Sequence, residues 1–284
     1  MPRPVKPATA AQLRRGALAV SVLHDVDLEP NRQGIWLTQG RRVWVPWSEC
    51  RTALRDADPE SDTGRHRLAR WLLARRWTAD LGREELRERL RPLGLPVGHE
   101  LHQGTGWMRS SVLGDALDLG LGAVGLDPDD PDAVVPLSRA ALAAAKLDLL
   151  LSWDQARDYL ERMGALAASR MAAKGEEALR PLGDCDVVTL LGARTLRASL
   201  AASCDGLATV VAPMRSRGWT RLKLVDPAFA PAAWLVTSEE ERGFPRPVLV
   251  TAEEVVLAAE GGNPAQLVTE QLTDRRWKRD VLYR

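Results

Sequence analysis

The chain is short of the residues that mark a specialised class. Two Phe and two Tyr leave ten Trp to supply most of the aromatic surface. Three cysteines, Cys50, Cys185 and Cys204, cannot close as a disulfide set, and none stands in a CxxC pair or near a histidine at metal-ligand spacing. That excludes a disulfide-stapled scaffold and fits reduced thiols in a cytosolic protein. Net charge is nearly absent as well. A value of +1 argues against a globally basic nucleic-acid binder, while leaving local patches open. No apolar run approaches the roughly 20 residues that a bilayer span requires. Basic residues precede the stretch Ala17–Leu23, as in a secretory leader, but His24, Asp25 and Asp27 follow in place of a small-residue cleavage site. A cytoplasmic protein without membrane association is therefore expected.

What is present suffices for a core. The chain has 284 residues, 45% hydrophobic and 27% charged. This predicts one large or two modest domains and a wet surface. It is rich in arginine and tryptophan. The tryptophans follow no repeating interval, and core packing accounts for most of them.

The pattern along the chain predicts a mixed α/β fold. Residues 1–126 read as a β-rich segment with a hairpin and helices. A strand is expected over Ala17–Leu28, and Ile35–Thr38 and Val43–Trp47 flank a turn at Gln39–Arg41, with Pro46 on an edge. Ser48 suits the N-cap of a short helix to about Ala57. Helices then span about Gly64–Asp80 and Arg83–Arg91, stopped by Gly94 and Pro96. Residues 127–137, acidic and proline-rich, read as a linker between domains. In 138–284, Ser138 caps a helix. Ser152 with Gln155 forms a capping box for a long helix to Gly175. Strands at Asp186–Leu191, Leu207–Ala212 and Val248–Thr251 alternate with helices at Ala193–Ser203 and Pro227–Thr237. Alternation of this kind predicts βαβ units and a parallel sheet. Ala252–Glu260 reads equally as helix or strand.

Two motifs fail on their context. Gly120, Gly122 and Gly125 spell GxGxxG, but Asp127 and Pro128 follow at once and the acidic run would repel a phosphate, so a turned loop is the better account. His99, Glu100 and His102 resemble a zincin pattern, yet the histidines stand at i and i+3 in a glycine-bounded loop. No metal site and no cofactor signature are assigned. His99, His102, Arg109 and Ser110 remain secondary candidates, on a loop of small residues, hydroxyls and one arginine that suits an anion.

The sharpest expectation concerns the parallel sheet. Ligands settle at the carboxyl ends of such strands, which places Gly192, Arg194 and Thr195 beside Arg215, Ser216 and Arg217 on one rim. Gly192 permits close backbone approach. The following helix N-terminus offers unpaired amides, and the arginines offer planar donor forks. The leading functional class is thus a non-catalytic protein that binds an anionic small molecule or a protein partner. An enzyme acting on a phosphorylated or other anionic metabolite is the first alternative. A nucleic-acid-associated protein using the nine arginines of Arg65–Arg91 and the basic cluster Arg275–Arg279 is the second.

Overall fold

The computed structural model describes residues 7–99, 101, 107–175, 178–220 and 229–258. Thr9 opens the first helix, α1 (Ala10–His24), in a capping box with Gln12. Leu13, Ala17 and Val20 form its buried stripe at helical spacing, which corrects the strand expected over Ala17–Leu28. The apolar stripe begins earlier, at Leu13, and keeps a helical period.

β1 (Leu28–Pro30), β2 (Gly34–Leu37) and β3 (Val43–Pro46) form an antiparallel sheet in that order. The expected hairpin is present, with Ile35 opposite Val45 and Pro46 on an edge strand. α2 (Trp47–Leu54) begins after Pro46, so Ser48 sits inside the helix and does not cap it. Ser61 caps α3 (Asp62–Ala79) by accepting from the Gly64 amide. These elements enclose a core that includes Leu13, Ile35, Trp47, Leu54, Leu68 and Trp71.

α4 (Arg83–Arg89) passes straight into strand. β4 (Leu90–Pro96), β5 (Arg109–Leu113) and β6 (Leu117–Ala123) pair in the order β4-β6-β5, and short β7 (Val135–Pro136) also joins β6. Gly94 and Pro96, expected to end a helix, are strand residues. Of the GxGxxG glycines, Gly120 and Gly122 belong to β6 and not to a loop, while Gly125 lies in the bend after it with a positive φ. Packing explains them. A Cβ on Gly120 would lie 2.6 Å from the Trp107 ring, and one on Gly122 would lie 2.5 Å from Val134. The bare strand lets the indole settle on it. Leu137, at the end of the acidic segment, shares a core cluster with Leu121 and Leu142.

α5 (Arg139–Ala144) is capped by Ser138, and α6 (Leu149–Lys174) ends at Gly175 in the left-handed conformation, both as expected. The start of α6 is different. Asp148 accepts from the Leu151 amide, and Ser152 lies one turn inside the helix with its hydroxyl on the Asp148 carbonyl.

The last sheet contains β8 (Ala178–Leu179), β9 (Ala208–Met214), β10 (Arg217–Trp219), β11 (Val248–Val250) and β12 (Val255–Leu257), in the order β12-β11-β9-β10-β8. Every strand pairing among the described residues is antiparallel, so the predicted parallel sheet is not formed. Two segments account for the difference. The run Asp186–Leu191 is not a strand but the one-turn helix α7 (Val187–Leu190), with Asp186 accepting from the Thr189 amide. All four of its residues are buried, and a short run buried all round carries no period that separates helix from strand. Residues 213–218, expected as a loop, hold the tight turn of a β9–β10 hairpin, so the chain returns instead of crossing over. α8 (Arg194–Ala202) falls where a helix was expected. α9 (Phe229–Val236) and a 3-10 turn at Glu239–Glu241 lead into β11. Within the undecided stretch 252–260, Val255–Leu257 is strand, and 259–260 lie outside the described residues. Leu119, Leu160, Val187, Leu196, Val210 and Phe244 share a core beneath this sheet. No described helix is long and apolar enough to cross a membrane.

Candidate anion-binding crevice

The expected rim does not assemble. Gly192 follows the C-terminal end of α7, whereas Arg215 holds the other end through Asp186. A Cβ on Gly192 would lie 2.5 Å from the Leu119 side chain, so the residue faces β6. The α8 N-terminus already has an anion. Glu161 of α6 accepts from the Arg194 amide at 2.8 Å and the Thr195 amide at 3.0 Å, and Thr195 Oγ1 adds a third bond at 2.9 Å. The Arg194 side chain meets Glu253 at 2.6 Å. Arg215 is 9% exposed and forks onto Asp186 Oδ2, at 2.8 Å from Nε and 2.5 Å from Nη2. Ser216 and Arg217 are exposed, and Arg217 lies over the Trp219 ring. Three of the six rim residues thus meet carboxylates of the chain itself.

Among the secondary candidates, Arg109 pairs with the buried Asp118 at 3.4 Å. His102 and the Ser110 side chain lie outside the described residues, as does the basic cluster at 275–279. His99 is buried, and both ring nitrogens are committed. Nδ1 accepts from the Leu101 amide at 3.0 Å, so Nε2 carries the proton and donates to the Arg242 carbonyl at 2.8 Å. Burial, then repulsion from Arg215, hold its pKa down at about 3. His99 therefore acts as a neutral strut.

This has a measurable consequence. Unfolded, His99 titrates near 6.5; folded, near 3. Above pH 6.5 both states are neutral and the stability is complete. Below it the unfolded chain takes up a proton that the folded one refuses, so stability falls by about 1.4 kcal/mol per pH unit from this residue. His66, also lowered, acts in the same direction. Urea midpoints between pH 7 and 5 are expected to decline in the wild type and to flatten in His99→Gln. An unchanged slope in the variant would refute the assignment.

His99 and Arg215, expected in separate places, border the same region, and the more open site lies beside them. One face of α3 carries His66, Arg67 and Arg70, and it meets the Glu239–Glu241 turn. The residues between form a small crevice of about 20 Å³, open to solvent, walled by Ala53, Trp71 and Leu101 as well as by these charged and polar groups. Arg67 forks onto Glu239 at 3.3 and 3.4 Å and donates to the Leu54 carbonyl. Glu240 accepts a short contact from His66 Nε2 and lies 2.7 Å from Arg70. Burial, and then Arg215, lower the pKa of Arg70, so its charge is held at a cost. Trp71 is 2% exposed, and its indole N–H finds no acceptor among the described residues. Sequence reasoning passed over this crevice. The i, i+1, i+4 spacing of His66, Arg67 and Arg70 was visible, but nothing in the chain joined it to acids about 170 positions away.

Comparison with protein-family models, curated proteins and solved structures finds no match.

Proposed function

We propose that the chain is a non-catalytic binding protein that takes an anionic ligand in the crevice between α3 and the Glu239–Glu241 turn. The observation that carries this reading is the pair Arg70 and Trp71. Arg70 is a partly desolvated cation beside a second cation, with one carboxylate contact among the described residues. Trp71 next to it holds a buried donor without an acceptor among the described residues. A ligand bringing negative charge and a further acceptor would satisfy both.

Binding is favoured over turnover by the state of the reactive groups. His99 has no ring nitrogen to spare. The Cys50 thiol is buried, with its pKa pushed up to about 12, and burial raises that of Cys185 as well, which suppresses the nucleophilic thiolate. A nucleic-acid role draws less support, because the arginines of α3 and α4 are largely compensated. Arg65, Arg67, Arg70, Arg87 and Arg89 each meet an acidic side chain, and Arg75 is buried.

Thermal unfolding in the presence of inorganic phosphate, pyrophosphate, citrate or benzoate tests the reading. A ligand at about 100 times its Kd stabilises the native state by about 2.7 kcal/mol. At least one of these anions is expected to raise the wild-type Tm, and Arg70→Gln is expected to lose the rise. No response to any of them, or an equal response in both proteins, would overturn the proposal.

A further inference from the structure

The crevice also indicates the chemistry of its ligand, an inference that rests on the binding reading above. Its donor side chains differ in how firmly they are held. Arg67 is 13% exposed at its side chain and bound by the fork to Glu239 and by the Leu54 carbonyl, so it anchors the turn. His66 and Arg70 are 50% and 37% exposed, and they share the single carboxylate of Glu240. That carboxylate comes from the chain, and it shows what the neutral imidazole donor and the guanidinium accept together: one carboxylate oxygen, Glu240 Oε1. Beyond it the walls are apolar, from Ala53, Leu101 and the Trp71 ring, with the indole N–H as the unsatisfied polar group.

We propose that the ligand is a small carboxylate with an apolar body, and that Glu240 is its built-in competitor. The ligand's carboxylate replaces that of Glu240 on His66 and Arg70, its body covers Ala53 and Leu101, and another acceptor takes the Trp71 N–H. A phosphate ester is the poorer fit. Its two negative charges would stand beside Glu239, and its hydrated head gains nothing from apolar walls.

Isothermal titration with benzoate, salicylate and inorganic phosphate provides the test, on the wild type, Glu240→Gln, Arg70→Gln and Trp71→Phe. Removing the competing charge in Glu240→Gln is expected to tighten benzoate binding about tenfold, equivalent to about 1.4 kcal/mol. Arg70→Gln is expected to abolish it. Trp71→Phe keeps the ring and loses the donor, which is expected to weaken salicylate binding about fivefold. Phosphate binding that needs Arg70, with benzoate silent in every protein, would overturn the carboxylate inference and leave the anion reading standing. Benzoate binding equally well to wild type and Glu240→Gln would overturn the competitor role. Silence from all three probes in both wild type and Glu240→Gln would overturn both readings together.

Discussion

Trp107→Ala is expected to lose about 3–5 kcal/mol of unfolding free energy, the range for truncating a large buried aromatic. Trp107 is 1% exposed, clusters with Leu93, Leu95 and Leu101, and donates its indole N–H to the Leu121 carbonyl at 2.9 Å. Its ring rests on Gly120, where no side chain exists to follow it into the space it leaves. The cavity would therefore stay open, which puts the loss toward the upper part of that range. Urea denaturation checks this, with a lowered midpoint and an unchanged m-value. Gly120→Val approaches the same contact from the other side. Its Cβ alone would stand 2.6 Å from the ring, so overpacking is expected to cost about 1–3 kcal/mol or more. A wild-type midpoint for Trp107→Ala would mean that the indole is not packed on this strand.

That contact also shows what a reading of the sequence can and cannot reach. Elements defined by their own caps or turn were legible: Ser138 opening α5, Gly175 closing α6 and the β2–β3 hairpin. Each is fixed by residues a few positions apart. Gly120 and Gly122 were visible as a motif, but their meaning depends on Trp107 and Val134 lying above them, which no local signal states. Strand direction was lost for a related reason. Val187–Leu191 is buried on every side, so its hydrophobicity reports depth and not conformation. Calling it a strand turned an antiparallel sheet into a parallel one. The candidate site failed in the same way, since an arginine's sequence position says nothing of the carboxylate it will meet. Arg194 meets Glu253 and Arg70 meets Glu240, across separations of 59 and 170 positions.

Arg215 is where that error has its largest energetic consequence. Arg215→Ala is expected to cost about 3–5 kcal/mol, because it removes one partner of a largely buried ion pair and leaves the other charge uncompensated. The side chains of Arg215 and Asp186 are 11% and 19% exposed. Asp186 has a second task, accepting from the Thr189 amide at 2.7 Å to start α7. Arg215 thus holds a cap in place while its backbone joins the Glu241 carbonyl and the Val187 amide. Lysine cannot reproduce two bonds to one carboxylate oxygen from a planar fork, so Arg215→Lys should recover only part of the loss. Arg217→Ala, two residues on and exposed, should change stability by no more than about 0.5 kcal/mol. Thermal or urea unfolding of the three variants separates the roles. In a double-mutant cycle, Asp186→Ala combined with Arg215→Ala should cost clearly less than the sum of the single losses, since each alone strands a charge. If Arg215→Ala unfolds at the wild-type midpoint, the pair does not hold α7, and this arginine is available to a ligand after all.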